Sequence, residues 1–233
     1  MLRLVLLLSL FSFTVLIGQT KDVSKAAYYY TAFTKENKVS DIERAYDLIT
    51  QALTIAENQN NAEANFYHAV IVKQYFESKK LDIKSDLVFK VSQSLIKTYQ
   101  LDKKFDRKEQ LLRLMQIAGY DLYSEGIRQH RDNKHELAYQ LYKDLFQIQS
   151  ILEENKLDFT LVSNSGEKTT LPTKDITNNM VIFCINSGKK EEAKSLFEKE
   201  IQTNPSAVSY ARLIQLCYQI DDKASANKYI QEG

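Results

Sequence analysis

Two prolines, Pro172 and Pro205, and six glycines are all the helix breakers in 233 residues. A proline inside a helix costs about 3 kcal/mol against alanine and a glycine about 1 kcal/mol, so a chain this poor in both has little to interrupt long helical runs. Between the breakers, apolar residues return at alternating steps of three and four. Ile42, Ala45, Ile49, Ala52 and Ala56 line one face of a helix predicted from Ile42 to Ala56. Ser40 and Glu43 stand in the capping-box arrangement at its start. Upstream, Lys25 to Lys35 has no breaker and predicts a partner helix, joined to the first by a short polar turn.

The same pattern is written four more times. Ala62 to Phe76 with Ile83 to Tyr99 makes a longer, less regular pair. Tyr120 to His130 is followed by a turn in which Asn133 can cap, with Glu136 three residues on, and then by a helix from Leu137 to Leu152. Thr177 to Asn186 and Lys189 to Ile201 flank the turn Ser187-Gly188, and Asn204-Pro205 stops the second of them. Ala207 to Ile220 and Ala224 to Ile230 form the last pair. One segment departs from this, an insert over residues 156–175. There Phe159 to Val162 alternates, Asn164-Ser165-Gly166 has turn chemistry, and Thr169 to Leu171 is able to return as a strand before Pro172, which predicts a small hairpin or ordered loop.

Register ties the pairs together. Ala138 and Ala193 occupy the same place in their hairpins, each followed four residues later by an aromatic, Tyr142 and Phe197. Twelve residues before each alanine stands the crossing position of the preceding helix, Gly126 or Val181, and Pro205 follows Phe197 by eight. Two helices approach to about 8–10 Å only where small residues occupy the crossing. These offsets resemble the tetratricopeptide repeat, a helix-turn-helix unit of 34 residues. Of that family's first-helix pattern the third pair offers Leu122, Glu125, Gly126 and Gln129. The resemblance implies an all-α, right-handed solenoid of about five hairpins: repeats one to three over 21–155, the insert at 156–175, and repeats four and five over 176–233, with the last of them short enough to suggest truncation. Tyr229 and Ile230 are expected to lack a cap, so that another chain or missing sequence would cover that end. Cys184 and Cys217 fall at equivalent places on consecutive first helices, too far apart for the roughly 7 Å limit of a disulfide, which predicts two free, buried thiols.

The amino terminus carries a different message. Arg3, the apolar run Leu4 to Ile17 and the small Gly18 make a secretory leader, residues 1–18, too short for the roughly 20 residues of a membrane span. Leu16-Ile17-Gly18 is the lead-in of a lipidated cysteine, but Gln19 stands in the cysteine's place. Cleavage near Gly18 and release into a periplasmic or secreted compartment are therefore expected, with no direct membrane anchor. The leader holds one of the 31 basic residues, leaving 30 against 30 acidic ones, and acids interleave with bases along the chain. Nucleic acid or an anionic membrane surface would select a positive face, so neither is an expected partner.

Chemistry-bearing motifs are sparse. His130, Asp132 and His135 straddle a turn and are not spaced four apart on one helical face, so a solvated turn is expected there and no metal. No phosphate loop, nucleophile elbow or H-E-x-x-H is written, and acidic pairs such as Glu191-Glu192 read as solvated helix faces. No catalytic residue and no cofactor are expected. Fourteen tyrosines point instead to packing and to binding. In the family that the chain resembles, first helices line a concave groove that holds peptides. That implies a partner surface from Tyr120, Tyr123, Ile127, His130, Asn178, Ile182 and Arg212. The lysine and asparagine set that clamps a peptide's terminal carboxylate in some members is missing.

The expected function is thus a non-catalytic, exported scaffold for protein or peptide, similar to the tetratricopeptide proteins exported by Bacteroidetes-type bacteria. The alternatives are a glycan- or nutrient-binding component of an outer-membrane uptake system, which would want surface tryptophans that this chain lacks, and a regulatory arm of a longer enzyme.

Overall fold

The computed structural model describes residues 21–81, 84–158, 160–162, 166–170, 173–203 and 205–233. The leader, Ile83, Phe159, Asn164-Ser165, Leu171-Pro172 and Asn204 lie outside the described residues. The described chain is all-α apart from one small paired-strand insert. Its elements are α1 (residues 21–36), α2 (Val39–Ala52), α3 (Ala56–Gln59), α4 (Ala62–Ser78), α5 (Ser85–Leu101), α6 (Lys108–Arg131) and α7 (His135–Glu154). Strands β1 (Thr160–Val162) and β2 (Lys168–Thr170) pair with each other, and α8 (Thr173–Asn186), α9 (Lys190–Thr203), α10 (Ala207–Gln219) and α11 (Lys223–Glu232) complete the chain. Two compact units divide within α6: the first takes the described residues up to Leu122 with Val162 and Gly166, and the second takes Tyr123–Leu161 and Glu167–Gly233.

Several boundaries differ from those the periodicity predicts. Helix α2 stops at Ala52, and Ala56 opens the separate short turn α3 on its exposed side. At the stop the Ala52 carbonyl accepts both the Ile55 N–H at 3.2 Å and the buried Asn58 amide at 2.9 Å. Ser40 caps nothing; it lies inside α2, whose N-cap is Lys38 with no side-chain bond. Helix α6 begins at Lys108 and not at Tyr120, taking in a stretch that belongs to no repeat offset. Its first half buries Leu111, Leu112, Met115, Ala118 and Leu122, a helical stripe of its own.

In the second unit the hairpins share one turn. Asn133, Gly188 and Asp221 each adopt a left-handed backbone, with φ of 58°, 78° and 63°. In each, the next residue's N–H reaches back to a carbonyl five residues earlier: Lys134 to Gln129 at 2.9 Å, Lys189 to Cys184 at 2.7 Å and Asp222 to Cys217 at 2.8 Å. The left-handed residue itself donates to the carbonyl three earlier, on His130, Ile185 and Tyr218. This is the Schellman closure of a helix C-terminus. Asn133 therefore ends α6 and does not cap α7, whose N-cap Lys134 makes no side-chain bond. Two residues after each turn residue the next helix starts, at His135, Lys190 and Lys223. Five residues after it come Ala138, Ala193 and Ala226, all fully buried.

That register sets the packing. A Cβ on Gly126 would sit 2.5 Å from the Tyr142 ring, so only glycine lets α6 and α7 close here. Tyr142 is fully buried, its ring edge-on to Phe183 at 4.7 Å, and Asn179 donates to its hydroxyl at 3.2 Å, which joins α7 to α8. Helix α8 packs on α9, α9 on α10 and α10 on α11. Tyr229, expected to be bare, is buried and donates from its hydroxyl to Glu198 at 2.5 Å, because α11 lies back on α9's side of the hairpin; Ile230 remains exposed. Cys184 and Cys217 are free and buried, and burial pushes the Cys184 thiol up to about 12.

The first unit is held differently. Helices α2 and α5 both pack on α4. Arg107 lies over the rings of Phe66 and Tyr67 at 4.7 Å each and Phe105 at 5.3 Å, and donates to the Tyr67 hydroxyl at 2.7 Å. Tyr46 of α2 stacks on Tyr75 of α4 at 4.1 Å. The helices of this unit also bury small residues, Ala45 and Ala52 on α2 and Ala64 and Ala69 on α4, so the rings come in addition to them.

Candidate binding surface

Counting back from each turn residue locates the equivalent faces of the first helices. Ten residues before Asn133, Gly188 and Asp221 stand Tyr123, Asn178 and Ala211; six before stand Ile127, Ile182 and Gln215; three before stand His130, Ile185 and Tyr218. On α10 this face is open: Val208, Ala211, Gln215 and Tyr218 are all exposed, Val208 at 57% and Tyr218 at 52%. They recur at steps of three and four and so form one stripe. On α8 the same face presents Ile182, 45% exposed, with Asn178 half-buried beside it. Leu213, Leu216 and Cys217 occupy the opposite, buried side of α10.

The residues expected to line a groove divide. Ile182 and Asn178 stand where the hairpin offset puts them, and Tyr123 and Ile127 are half-buried at the same register on α6. Tyr123 also leans on the core, its ring 6.0 Å from that of Tyr142. Tyr120 belongs to the first unit and is half-buried there.

His130 and Arg212 are corrections. The His130 ring packs 4.7 Å from Phe183, and its Nδ1 meets His135 Nδ1 at 3.1 Å, so it faces the wedge between α6, α7 and α8 and not the open stripe. Burial, with the neighbouring His135, lowers its pKa. The residues around it, Arg131, Asp132, Asn133 and Lys134, are exposed as a solvated turn should be. Arg212 turns toward α9, its Nη1 3.7 Å from Glu200 Oε1 and buried. Its offset is one residue away from the open stripe, and one residue on a helix is about 100°, enough to change faces. The exposed members Val208, Gln215 and Tyr218 escape the hairpin offset for the same reason. Their signal in the sequence is the distance back from the left-handed turn residue.

The polar groups near this surface are engaged with one another. Glu125, buried on α6, accepts from Arg128 Nε at 2.7 Å and Nη2 at 2.6 Å, and from Gln129 Nε2 at 2.7 Å. Lys194 of α9 donates to Asp222 at 2.6 Å and Ser225 at 2.7 Å at the start of α11, and the Lys194 bond, with those Ser225 donates to Asp222, lowers the Asp222 carboxyl to about 2. The Glu125 set braces α6 alone, whereas the Lys194 bonds join α9 to α11 of the next hairpin. Among the described residues no group of three or more histidine, cysteine, aspartate or glutamate side chains is placed to hold a metal ion, and no helix is long and apolar enough to cross a membrane.

No family model matches the chain, and no curated protein sequence matches it. Among solved structures, the DHF79 filament is similar at 12% identity over 94% of this chain and 84% of that one, with a TM-score of 0.31. The de novo designed helical repeat protein DHR64 is similar at 11% identity over 93% of this chain and 97% of that one, with a TM-score of 0.35. TM-scores this low carry no argument about the site.

Proposed function

We propose that this chain is a non-catalytic scaffold, exported behind a cleaved leader, that binds an extended protein or peptide segment along the first helices of tetratricopeptide-like hairpins. One observation carries the reading: large apolar side chains stand exposed on both first helices, Ile182 on α8 and Val208 and Tyr218 on α10, where Leu213, Leu216 and Cys217 take the buried side. Aromatic and aliphatic side chains fixed on rigid helices are good anchors for a partner, because little side-chain entropy is lost on contact. The mature chain's balanced charge favours a partner held by apolar contact and hydrogen bonds over a polyanion.

Affinity capture from an extract of exported proteins tests this, with the mature chain and the variant Ile182→Asp plus Tyr218→Asp compared. Both side chains are exposed, so the variant is expected to melt within a few degrees of the parent. Loss of the captured protein from the variant is the expected result. Equal capture by both would place the partner elsewhere and end the assignment to α8 and α10.

A further inference from the structure

The first unit holds a cavity of about 120 Å³ where α4, α5 and the first half of α6 meet. Its walls are Phe76 from α4, Leu87, Val88 and Val91 from α5, and Ala118 from α6. An apolar cavity of roughly 150 Å³ admits benzene; this one is smaller but opens to solvent past Glu77, so it takes at most a single ring or a branched chain with its polar end at that mouth. The small side chain of Ala118 keeps it open.

One end of the cavity is charged. Lys73 Nζ stands 3.2 Å from Asp121 Oδ2 and 3.1 Å from Glu77 Oε1. All three side chains line the space, so two carboxylates share one ammonium and the wall keeps one negative charge in excess. Asp121 and Lys73 are largely buried, with side-chain exposures of 13% and 17%. Burial raises the Asp121 carboxyl toward its neutral form, and Lys73 pulls it back only in part. A second cation at this end would add a partner for Asp121, the more buried of the two carboxylates, while Glu77, 39% exposed, keeps its contact with water and opens this end to solvent.

We propose that this cavity is a binding site for a primary amine carrying an apolar body about the size of one ring, with the body against Phe76, Val88 and Ala118 and the ammonium donating to Asp121 and Glu77. The amine is either a free small molecule or the amino-terminal residue of a peptide, since both present the same ammonium beside the same apolar group. The site is independent of the surface on α8 and α10.

Titrating the full mature chain, with its methyl groups labelled for NMR, tests the proposal. The probes are benzylamine, benzyl alcohol, phenylacetate and the tripeptide Phe-Gly-Gly with a free amino terminus. Benzylamine is expected to shift the Val88, Val91 and Ala118 methyl signals with a dissociation constant on the order of 1 mM, fitting for so few atoms. Benzyl alcohol should bind about tenfold more weakly, and phenylacetate more weakly still, because each lacks the cation. Ala118→Phe fills the space and should weaken benzylamine by more than about tenfold; Asp121→Asn should weaken it by about tenfold. If Ala118→Phe does not fold, as judged by its melting curve, Ala118→Val narrows the same space and should weaken binding about threefold. Equal or tighter binding of Phe-Gly-Gly assigns the site to a peptide terminus, and binding of benzylamine alone assigns it to a free amine. Absence of methyl shifts with benzylamine up to about 10 mM, unchanged binding by both Ala118 variants, or preference for phenylacetate would each overturn the proposal.

Discussion

Both units bury small residues on their packed helices, Ala45, Ala52, Ala64 and Ala69 in the first and Ala138, Ala193 and Ala226 in the second, but they differ in what surrounds them. In the second, Gly126, Ala138, Ala193 and Ala226 stand at fixed distances from left-handed turn residues, and helices close on small side chains. In the first, Arg107 gathers Phe66, Tyr67 and Phe105, Tyr46 stacks on Tyr75, and the fit leaves a cavity of about 120 Å³ beside Ala118. Small residues at crossings give a repeat that can be extended by copying. The cavity lies apart from the gathered rings, lined by Phe76 with Leu87, Val88 and Val91 across from Ala118.

The comparison can be broken at single residues. Tyr142→Ala is expected to have the largest effect, a loss of about 4 kcal/mol in urea denaturation, because one ring closes α6, α7 and α8 and its hydroxyl holds Asn179. A loss under about 1 kcal/mol would show that the repeat register does not carry the second unit.

In the first unit, His68 is the matching weak point. It is bonded through Nδ1 to Ser94 at 2.7 Å, and burial lowers its pKa from 6.5 to about 4. A histidine held neutral by folding contributes stability that is whole above the unfolded value and is lost as pH falls from about 6.5 to about 4. The shift corresponds to about 3 kcal/mol. Urea midpoints measured across that range should fall in the parent and stay nearly flat in His68→Gln, apart from the general carboxylate loss. Parallel curves for the two proteins would contradict the burial assigned to His68.

Smaller effects sharpen the turn argument. Gly126→Ala should cost about 2 kcal/mol although alanine favours a helix by about 1 kcal/mol, because its Cβ meets the Tyr142 ring at 2.5 Å. Asp221→Gly should gain about 1 kcal/mol, since glycine adopts the left-handed turn at φ 63° without steric cost. A melting temperature lowered by this last change would mean that Asp221 does more at the turn than occupy it.

Much of this is legible in the chain. The helical class comes from the scarcity of breakers, the hairpin register from Ala138 and Ala193, the insert from its alternation, and the free thiols from the spacing of Cys184 and Cys217. The turns mislead where a helix end is written without glycine: Asn133 looks like a cap for α7, yet it closes α6. The first half of α6 is hidden because it lies outside any repeat offset, and with it the cavity wall at Ala118 and Asp121. On the candidate surface the hairpin offset points to Ile182, which is exposed, and to Arg212, which turns to α9 one residue off the exposed stripe of α10 that holds Tyr218.

Hydrogen exchange on the chain without residues 1–18, in the presence and absence of a protein recovered in the capture experiment, decides whether α8 and α10 form the proposed surface. Added protection is expected in segments covering Thr173–Asn186 and Ala207–Gln219, the helices α8 and α10. Protection confined to the first unit, with α8 and α10 unchanged, would contradict it.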